Sequence, residues 1–458
     1  MVPPRTSAES FLDRRRRLSH ALRAAGVATA ACCAGWARPR NFAHNVYPFR
    51  AESHFLYLTG LSLEGAILVV DEDDGETLYV TEQDASDVVW HGPQPSLDEL
   101  ADELLLPVLP LDHLPDHGDI AILPPQDDET ANWLAALLDR DVEPQSGPHL
   151  AGADLALARA LVELRLIHDQ AAIEQLRWTC RMTAEAHLAA MSAPRRWTTE
   201  AEVRGRYIGE LAARGLELSY NPIVTRRGHI LHARGSREPV VPGDLLLCDV
   251  GGEAPEGWAG DITRTWPVSE RFTSTQRELY ELVLSVQERA IERARPGARF
   301  LQLHRLMLED LARGLLDVGI LRGSLDELVE RGVAAVFCPH GLGHLLGLDV
   351  HDMEDLGDLA GYAPGRERSV RRAEAALRLD RDLAPGMVVT IEPGFYRIPP
   401  LLDAARADQG LSQCIAWDVL ARFSDVSGIR IEDDVLIGAG APEVLSAAAP
   451  KRVSDVEH

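Results

Sequence analysis

The chain is almost without lysine. Lys451 is the single one among 46 basic residues in a chain of 458, so arginine carries nearly every positive charge. We read this bias as a high-GC codon preference rather than as chemistry. Positive charge is also scarce overall: 71 Asp and Glu leave a formal charge of −25. Such an acidic balance argues against non-specific nucleic-acid binding and for solubility. Paired cysteine motifs are absent. Cys32, Cys33, Cys180, Cys248, Cys338 and Cys414 show no CxxC spacing, which is expected of free thiols in a cytoplasmic protein. No apolar run approaches the roughly 18 residues that span a bilayer. The opening stretch MVPPRTSAESFLDRRRRL has no apolar centre of a secretory signal. No membrane and no nucleic acid are expected as partners.

What is present suits a globular enzyme. Hydrophobic residues make up 46 %, an ordinary share, and the length allows two or three domains. RRRRLSHALRAAGVAT reads as an amphipathic helix with Leu18, Leu22 and Val27 inward, its arginines forming a solvated face. GAILVVDEDDGETLYVT reads as a hairpin around an acidic turn. A helix is expected near ETANWLAALLDR and a loop at residues 144–153. Long helices follow in ADLALARALVELRLIHD and DQAAIEQLRWTCRMTAEAHLAAM. TTEAEVRGRYIGELAARG is a further helix, with Thr199 as N-cap and Glu202 completing a capping box. The fold expected is α+β: an N-terminal α/β domain over residues 1–155 and a larger domain over residues 156–458.

Five side chains end or sit within apolar, strand-like runs. They are Asp249 in LLLCDVGG, Asp261 in AGDITRT, His344 in PHGLGHLLGLDVHD, Glu392 in VVTIEPG and Glu432 in GIRIEDD. A carboxylate in an apolar run is costly unless something pairs with it. Each has a bland reading alone: a strand-ending cap, a surface acid, a core histidine, an Arg–Glu ladder. Four anions and an imidazole together call for cations. Oxygen donors with one nitrogen suit hard or borderline ions such as Mn²⁺, Co²⁺ or Zn²⁺, and two metals sharing carboxylates activate water for hydrolysis. A weak repeat supports convergence. Pro242-Gly243 precedes Asp249 and Gly251 as Pro385-Gly386 precedes Glu392 and Gly394. Gly341 and Gly343 argue against a helix through His340 and His344, and LLGLDVH reads as an extended strand. In IRIEDDV, period two places Arg430, Glu432 and Asp434 on one face.

In this order, ILH, DVGG, AGDITRTWPV, PHGLGHLLGLDVHD, LAPGMVVTIEPGFY and GIRIEDD resemble the motifs of the proline-specific pita-bread metallopeptidases, the prolidases and aminopeptidases P. YPFRAESHFLYLTG is similar to their N-terminal domain. The resemblance implies a pita-bread catalytic domain and two divalent metals per chain, Mn²⁺ first, with Co²⁺ or Zn²⁺ as alternatives. It implies that Asp249 and Asp261 hold one metal, His344 and Glu392 the other, and that Asp261 and Glu432 bridge. Glu392 would also be the general base, and His351 would stabilise the tetrahedral intermediate. His232, His340 and Arg430 would shape the pocket around proline, with Tyr396 in support. A homodimer or homotetramer is implied.

The expected activity is hydrolysis of the Xaa-Pro bond in a proline-containing di- or oligopeptide. Two features favour a dipeptidase: the long insert RIPPLLDAARADQGLSQCIAWDVLARFSDVSG, and Arg378, fourteen residues before Glu392. Resembling prolidases keep an arginine there for the substrate's terminal carboxylate, which a planar guanidinium binds bidentately. Arg381 nearby competes for that role, and MEDLGDLAGYAPGRERS departs from the family's glycine-rich pattern. An Xaa-Pro aminopeptidase is the alternative. Remoter ones are an inactive pita-bread binding protein and a side activity on organophosphate esters.

Overall fold

The structure is a computed structural model that describes residues 2–457 apart from 74, 84, 116–119, 145–149, 194–196 and 236. Most of the loop expected at 144–153 therefore lies outside the described residues. The chain packs as two compact units. One comprises Pro4–Gln175 and Met353–Ala360, the other Met1–Pro3, Leu176–Asp352 and Gly361–His458. The division falls inside the helix Gln170–Met191. The boundary expected at residue 155 falls inside the helix Gly152–Leu166, which packs with the first unit.

The first unit is built on a five-stranded mixed sheet, in the order Val108–Pro110, Glu76–Val80, Ile67–Asp71, Thr29–Cys33, Ala121–Ile122. Its middle is the expected hairpin, with Ile67 opposite Tyr79. Alternate residues Ile67, Val69 and Tyr79 turn to one face and bury against Leu134 and Leu138 of the helix Asp128–Leu138. The helix Ala8–Ala25 is capped by Ser7 and stopped by Gly26, whose φ of 69° is the left-handed conformation a C-cap needs. Leu18 and Leu22 are buried as expected. Only part of the arginine run is a solvated face: Arg16 is exposed and Arg17 half-buried. Arg14 and Arg15 are only 1 % exposed. Arg14 binds Asp169 (2.7 Å) and the Tyr57 carbonyl; Arg15 binds Glu76 and the carbonyls of Leu58 and Leu104. Tyr57 and Leu58 close the short helix Ser53–Thr59, whose last carbonyls lack helical partners. The two guanidiniums supply donors there, and their carboxylate partners balance the buried charge.

The second unit holds the five candidate ligands. Leu245–Asp249 lies between Thr263–Pro267 and Ile223–Thr225, all antiparallel. Val388–Ile391 pairs antiparallel with Asp433–Leu436, and Gly394–Tyr396 with Gly428–Arg430. The repeat read from the sequence thus has a structural counterpart. Gly243 and Gly386 enter their strands at φ 97° and 93°, a conformation glycine adopts without cost. Each strand then runs to an acid, and each return strand begins just after another: Asp261 before Thr263–Pro267, Glu432 before Asp433–Leu436. The helices Ser274–Arg293 and Phe300–Asp317 pack in the same unit.

Two local readings change. LLGLDVH is no strand: Leu345 makes one isolated bridge to Val389, and the chain then bends. The Asp352 carboxylate accepts the Asp349 N–H at 3.1 Å, and the Asp352 N–H reaches back to the Leu345 carbonyl at 3.0 Å. Such side-chain-to-backbone bonds compete with a ladder. IRIEDDV is two strands interrupted at Ile431 and Glu432, so Asp433 and Asp434 are both fully buried. The helix Glu200–Ala212 starts as expected, Thr199 accepting the Glu202 N–H. Glu202 itself reaches Thr198 rather than Thr199.

Candidate active site

Backbone joints carry the five candidate ligands to one place. Asp249 is the last residue of its strand and Glu392 directly follows Val388–Ile391. His344 is laid against that second strand by Gly343, where a Cβ would stand 2.0 Å from the Thr390 carbonyl oxygen. The Thr390 N–H then donates to the His344 carbonyl at 3.0 Å, and the His344 N–H to Thr390 Oγ1 at 3.1 Å. The Glu432 N–H donates to the Thr263 carbonyl at 3.1 Å, which ties the second return strand to the first.

The side chains converge. Ligand atoms of Asp261, His344 and Glu432 lie within 4.8 Å of one another. His344 Nε2 stands 3.4 Å from Asp261 Oδ2 and 3.7 Å from Glu392 Oε1, while its Nδ1 meets the Leu345 carbonyl at 2.9 Å. That second contact sets the ring's orientation and aims Nε2 at the carboxylates. Asp249 joins through Tyr220, whose hydroxyl contacts Asp249 Oδ1 and Asp261 Oδ1, the latter at 2.7 Å. The structure therefore brings together all five residues singled out by the sequence.

Their electrostatics are those of crowded anions. Asp249, Asp261 and Glu432 are between 2 % and 7 % exposed. Burial, opposed by His344 and Arg430, pushes the Glu392 carboxyl up to about 7. Burial and then the charges of Asp261, Glu392 and Asp249 push Glu432 well above the carboxylate range. Burial likewise raises Asp249. Asp261 goes the other way, because the hydrogen bond and charge of His344 outweigh its burial. Like charges held this close cannot all ionise unaided. Two divalent cations would match four carboxylates in charge, and four oxygen-donor groups with one imidazole form a suitable ligand set. Asp249, Asp261, His344, Glu392 and Glu432 could hold them.

A surrounding set of bonds holds these carboxylates in place. Arg430, 4 % exposed, gives NH2 to Asp249 Oδ2 (2.5 Å), Nε to Thr263 Oγ1 (3.0 Å) and NH1 to the Tyr396 hydroxyl (3.1 Å). Thr263 Oγ1 donates onward to Glu432 Oε2 at 2.6 Å. Asp434 Oδ2 accepts the Asp261 N–H at 3.2 Å. Tyr396 is fully buried and meets His340 Nε2 at 2.8 Å, so it stands behind His340 rather than on the cavity wall. Sequence reasoning singled out neither Tyr220 nor Asp434 as part of the site. Tyr220 carries no spacing signal, whereas Asp434 shares the alternation of Arg430 and Glu432.

The carboxylates floor a cavity of about 1200 Å³, whose walls include His232, His340, His351, Arg378 and Arg430. The His351 ring lies 4.0 Å from that of His344, and burial pushes its pKa far down. Burial and then Arg430 lower His340 to about 3. Both imidazoles are neutral at pH 7; the N–H of His340 donates to the Gly341 carbonyl at 2.8 Å. Half-buried Arg378 reaches the cavity from the stretch before Glu392, and its pKa falls chiefly through burial.

Residues 174–439 match the metallopeptidase family M24, and residues 11–121 match the aminopeptidase P N-terminal domain. The chain is 33 % identical to human Xaa-Pro dipeptidase over 439 residues, 89 % of this chain and 84 % of that one. It is 32 % identical to a probable Xaa-Pro aminopeptidase of Talaromyces marneffei, covering 90 % of this chain and 87 % of that one. Among solved structures, aminopeptidase P from E. coli superposes with a TM-score of 0.79 at 28 % identity, covering 99 % of this chain and 98 % of that one. The likeness bears out the α+β organisation expected from the sequence, an aminopeptidase P-type N-terminal domain followed by a pita-bread catalytic domain. The chain belongs to metallopeptidase family M24, and the family implies divalent metal ions.

Proposed function

We propose that the protein hydrolyses the Xaa-Pro bond, acting first as an Xaa-Pro dipeptidase, with two divalent cations, Mn²⁺ foremost. The observation that carries this reading is the meeting of Asp249, Asp261, His344, Glu392 and Glu432 on the floor of one cavity. Asp249 and Asp261 would hold one cation, His344 and Glu392 the other, with Asp261 and Glu432 shared. When bound, the cations polarise the scissile carbonyl and acidify water.

The chain's own groups do the rest. The Glu392 carboxylate takes the proton of the attacking water and returns it to the departing proline nitrogen. His351, neutral beside His344, donates to the oxygen that gains charge. His232 and His340 flank the ring of proline, and the bonds of Arg430 and Tyr396 hold Asp249 and His340. Arg378 pairs with the terminal carboxylate of a dipeptide.

An Xaa-Pro aminopeptidase is the second reading. A cavity near 1200 Å³ exceeds the roughly 300–1,000 Å³ of ordinary ligand pockets and leaves room for a longer peptide. Ala-Pro and Ala-Pro-Ala, assayed with added Mn²⁺, separate the two. Cleavage confined to Ala-Pro and lost in Arg378→Ala supports the dipeptidase; efficient trimming of Ala-Pro-Ala supports the aminopeptidase; cleavage of neither removes both. A cytoplasmic location and a homodimer or homotetramer belong to the same proposal. The six unpaired thiols support the first.

A further inference from the structure

Three arginines on the cavity wall have no counterion among the described residues. Arg204 comes from the helix Glu200–Ala212, Arg234 and Arg237 from the stretch that follows His232, and all three line the cavity. Arginines in this part of the chain can find a carboxylate within the fold. The neighbours of these three do. Arg206 and Arg214 each reach Glu210 at 2.5 Å, Arg226 reaches Asp244 at 3.6 Å, and Arg227 binds Glu238. Among the described residues, Arg204, Arg234 and Arg237 have no ion pair, and Arg204 Nε is buried without a hydrogen-bond partner.

The wall offers them no acid either. The acids lining the cavity are Asp249, Asp261, Glu392 and Glu432, all four in the candidate metal cluster. Once two divalent cations balance those four charges, the walls carry Arg204, Arg234, Arg237 and Arg378, besides Arg430 on Asp249, and no further carboxylate. A cleft lined by one sign of charge concentrates ligands of the other. Arg378 accounts for one terminal carboxylate. The remaining three call for a further one.

We infer that Arg204, Arg234 and Arg237 select peptides carrying an acidic side chain beside the cleaved bond. This rests on the Xaa-Pro peptidase reading and specifies its substrate class. The acidic residue stands either before proline or after it, and recognition is by the guanidinium–carboxylate fork.

The test is kcat/KM with added Mn²⁺ on two isosteric pairs. Glu-Pro against Gln-Pro reads an acid before the bond; Ala-Pro-Glu against Ala-Pro-Gln reads one after it. The acidic member of at least one pair is expected to be preferred about tenfold, the size of a charge-assisted hydrogen bond at a partly open site. That ratio should fall towards one in the triple Arg204→Gln, Arg234→Gln, Arg237→Gln protein, and partway in Arg204→Gln alone. Arg234 and Arg237 are exposed, so their replacement leaves the fold intact. A ratio near one in every pair that is cleaved overturns the inference and leaves the peptidase reading standing. A preference that survives the triple substitution overturns the assignment to these arginines. Failure to cleave any of the four peptides removes the peptidase reading, and the inference with it.

Discussion

Tyr220→Phe isolates what the surrounding hydrogen bonds contribute to the cluster. The hydroxyl touches Asp249 Oδ1 and lies 2.7 Å from Asp261 Oδ1, and the ring removed and the ring introduced have nearly the same shape. The substitution therefore deletes a donor without opening a cavity. One O–H proton serves one carboxylate at a time, so a single orienting bond is lost; for its loss to lower affinity by about 1.4–2.8 kcal/mol, it must be that much stronger in the metal-bound site. At about 1.4 kcal/mol per tenfold, Mn²⁺ should bind about 10- to 100-fold more weakly, the range usual for groups that orient metal ligands. Calorimetric titration of Mn²⁺ into metal-free protein, native and Tyr220→Phe, measures this directly. Unchanged affinity would refute the reasoning. Tighter binding would refute it more instructively, because the hydroxyl would then be competing with the cation for the same lone pairs.

His187 is fully buried with a ring nitrogen 2.9 Å from the Val250 carbonyl, and burial lowers its pKa to about 3. It stays neutral in the fold but protonates in the unfolded chain below about 6.5, so stability falls as pH drops between those values. This residue alone should cost about 2 kcal/mol at pH 5 relative to pH 7.5, and His187→Gln should flatten the slope of urea midpoint against pH by that amount; parallel slopes would contradict it. Arg264 is fully buried and bonds Asp433, Glu432 O, Thr263 O, Ala449 O and Pro450 O. Arg264→Met should destabilise the protein by about 3–5 kcal/mol in denaturant titrations, and a loss below about 1 kcal/mol would be inconsistent with that network. Gly343→Ala would put a Cβ 2.0 Å from the Thr390 carbonyl oxygen, displacing the segment that carries His344. The expected result is folded protein with at least tenfold weaker Mn²⁺ binding, checked by circular dichroism beside the titration.

The candidate ligands were legible because their chemistry conflicts with their surroundings. An acid closing LLLCD or VVTI has no local reason to be there, and Asp249 and Glu392 announced themselves by that cost. The glycines beside them were legible too, since a turn or a close backbone approach needs them. Partners far along the chain were not. Nothing near Arg14 shows that Asp169, 155 residues on, will neutralise it, so a buried pair read as solvent-facing charge. Tyr220 was silent for the same reason: a tyrosine after a short loop has many uses, and only the third dimension sets it between Asp249 and Asp261. LLGLDVH had the composition of a strand, and the bend that replaces it is held by bonds to Asp352 and between backbone groups.

The dinuclear centre itself is tested by counting. Metal-free protein dialysed to equilibrium against Mn²⁺ should retain two ions per chain by elemental analysis, and a chain carrying Asp261→Asn and Glu432→Gln should retain at most one. A folded native chain that holds one ion or none under these conditions would contradict the site proposed for Asp249, Asp261, His344, Glu392 and Glu432.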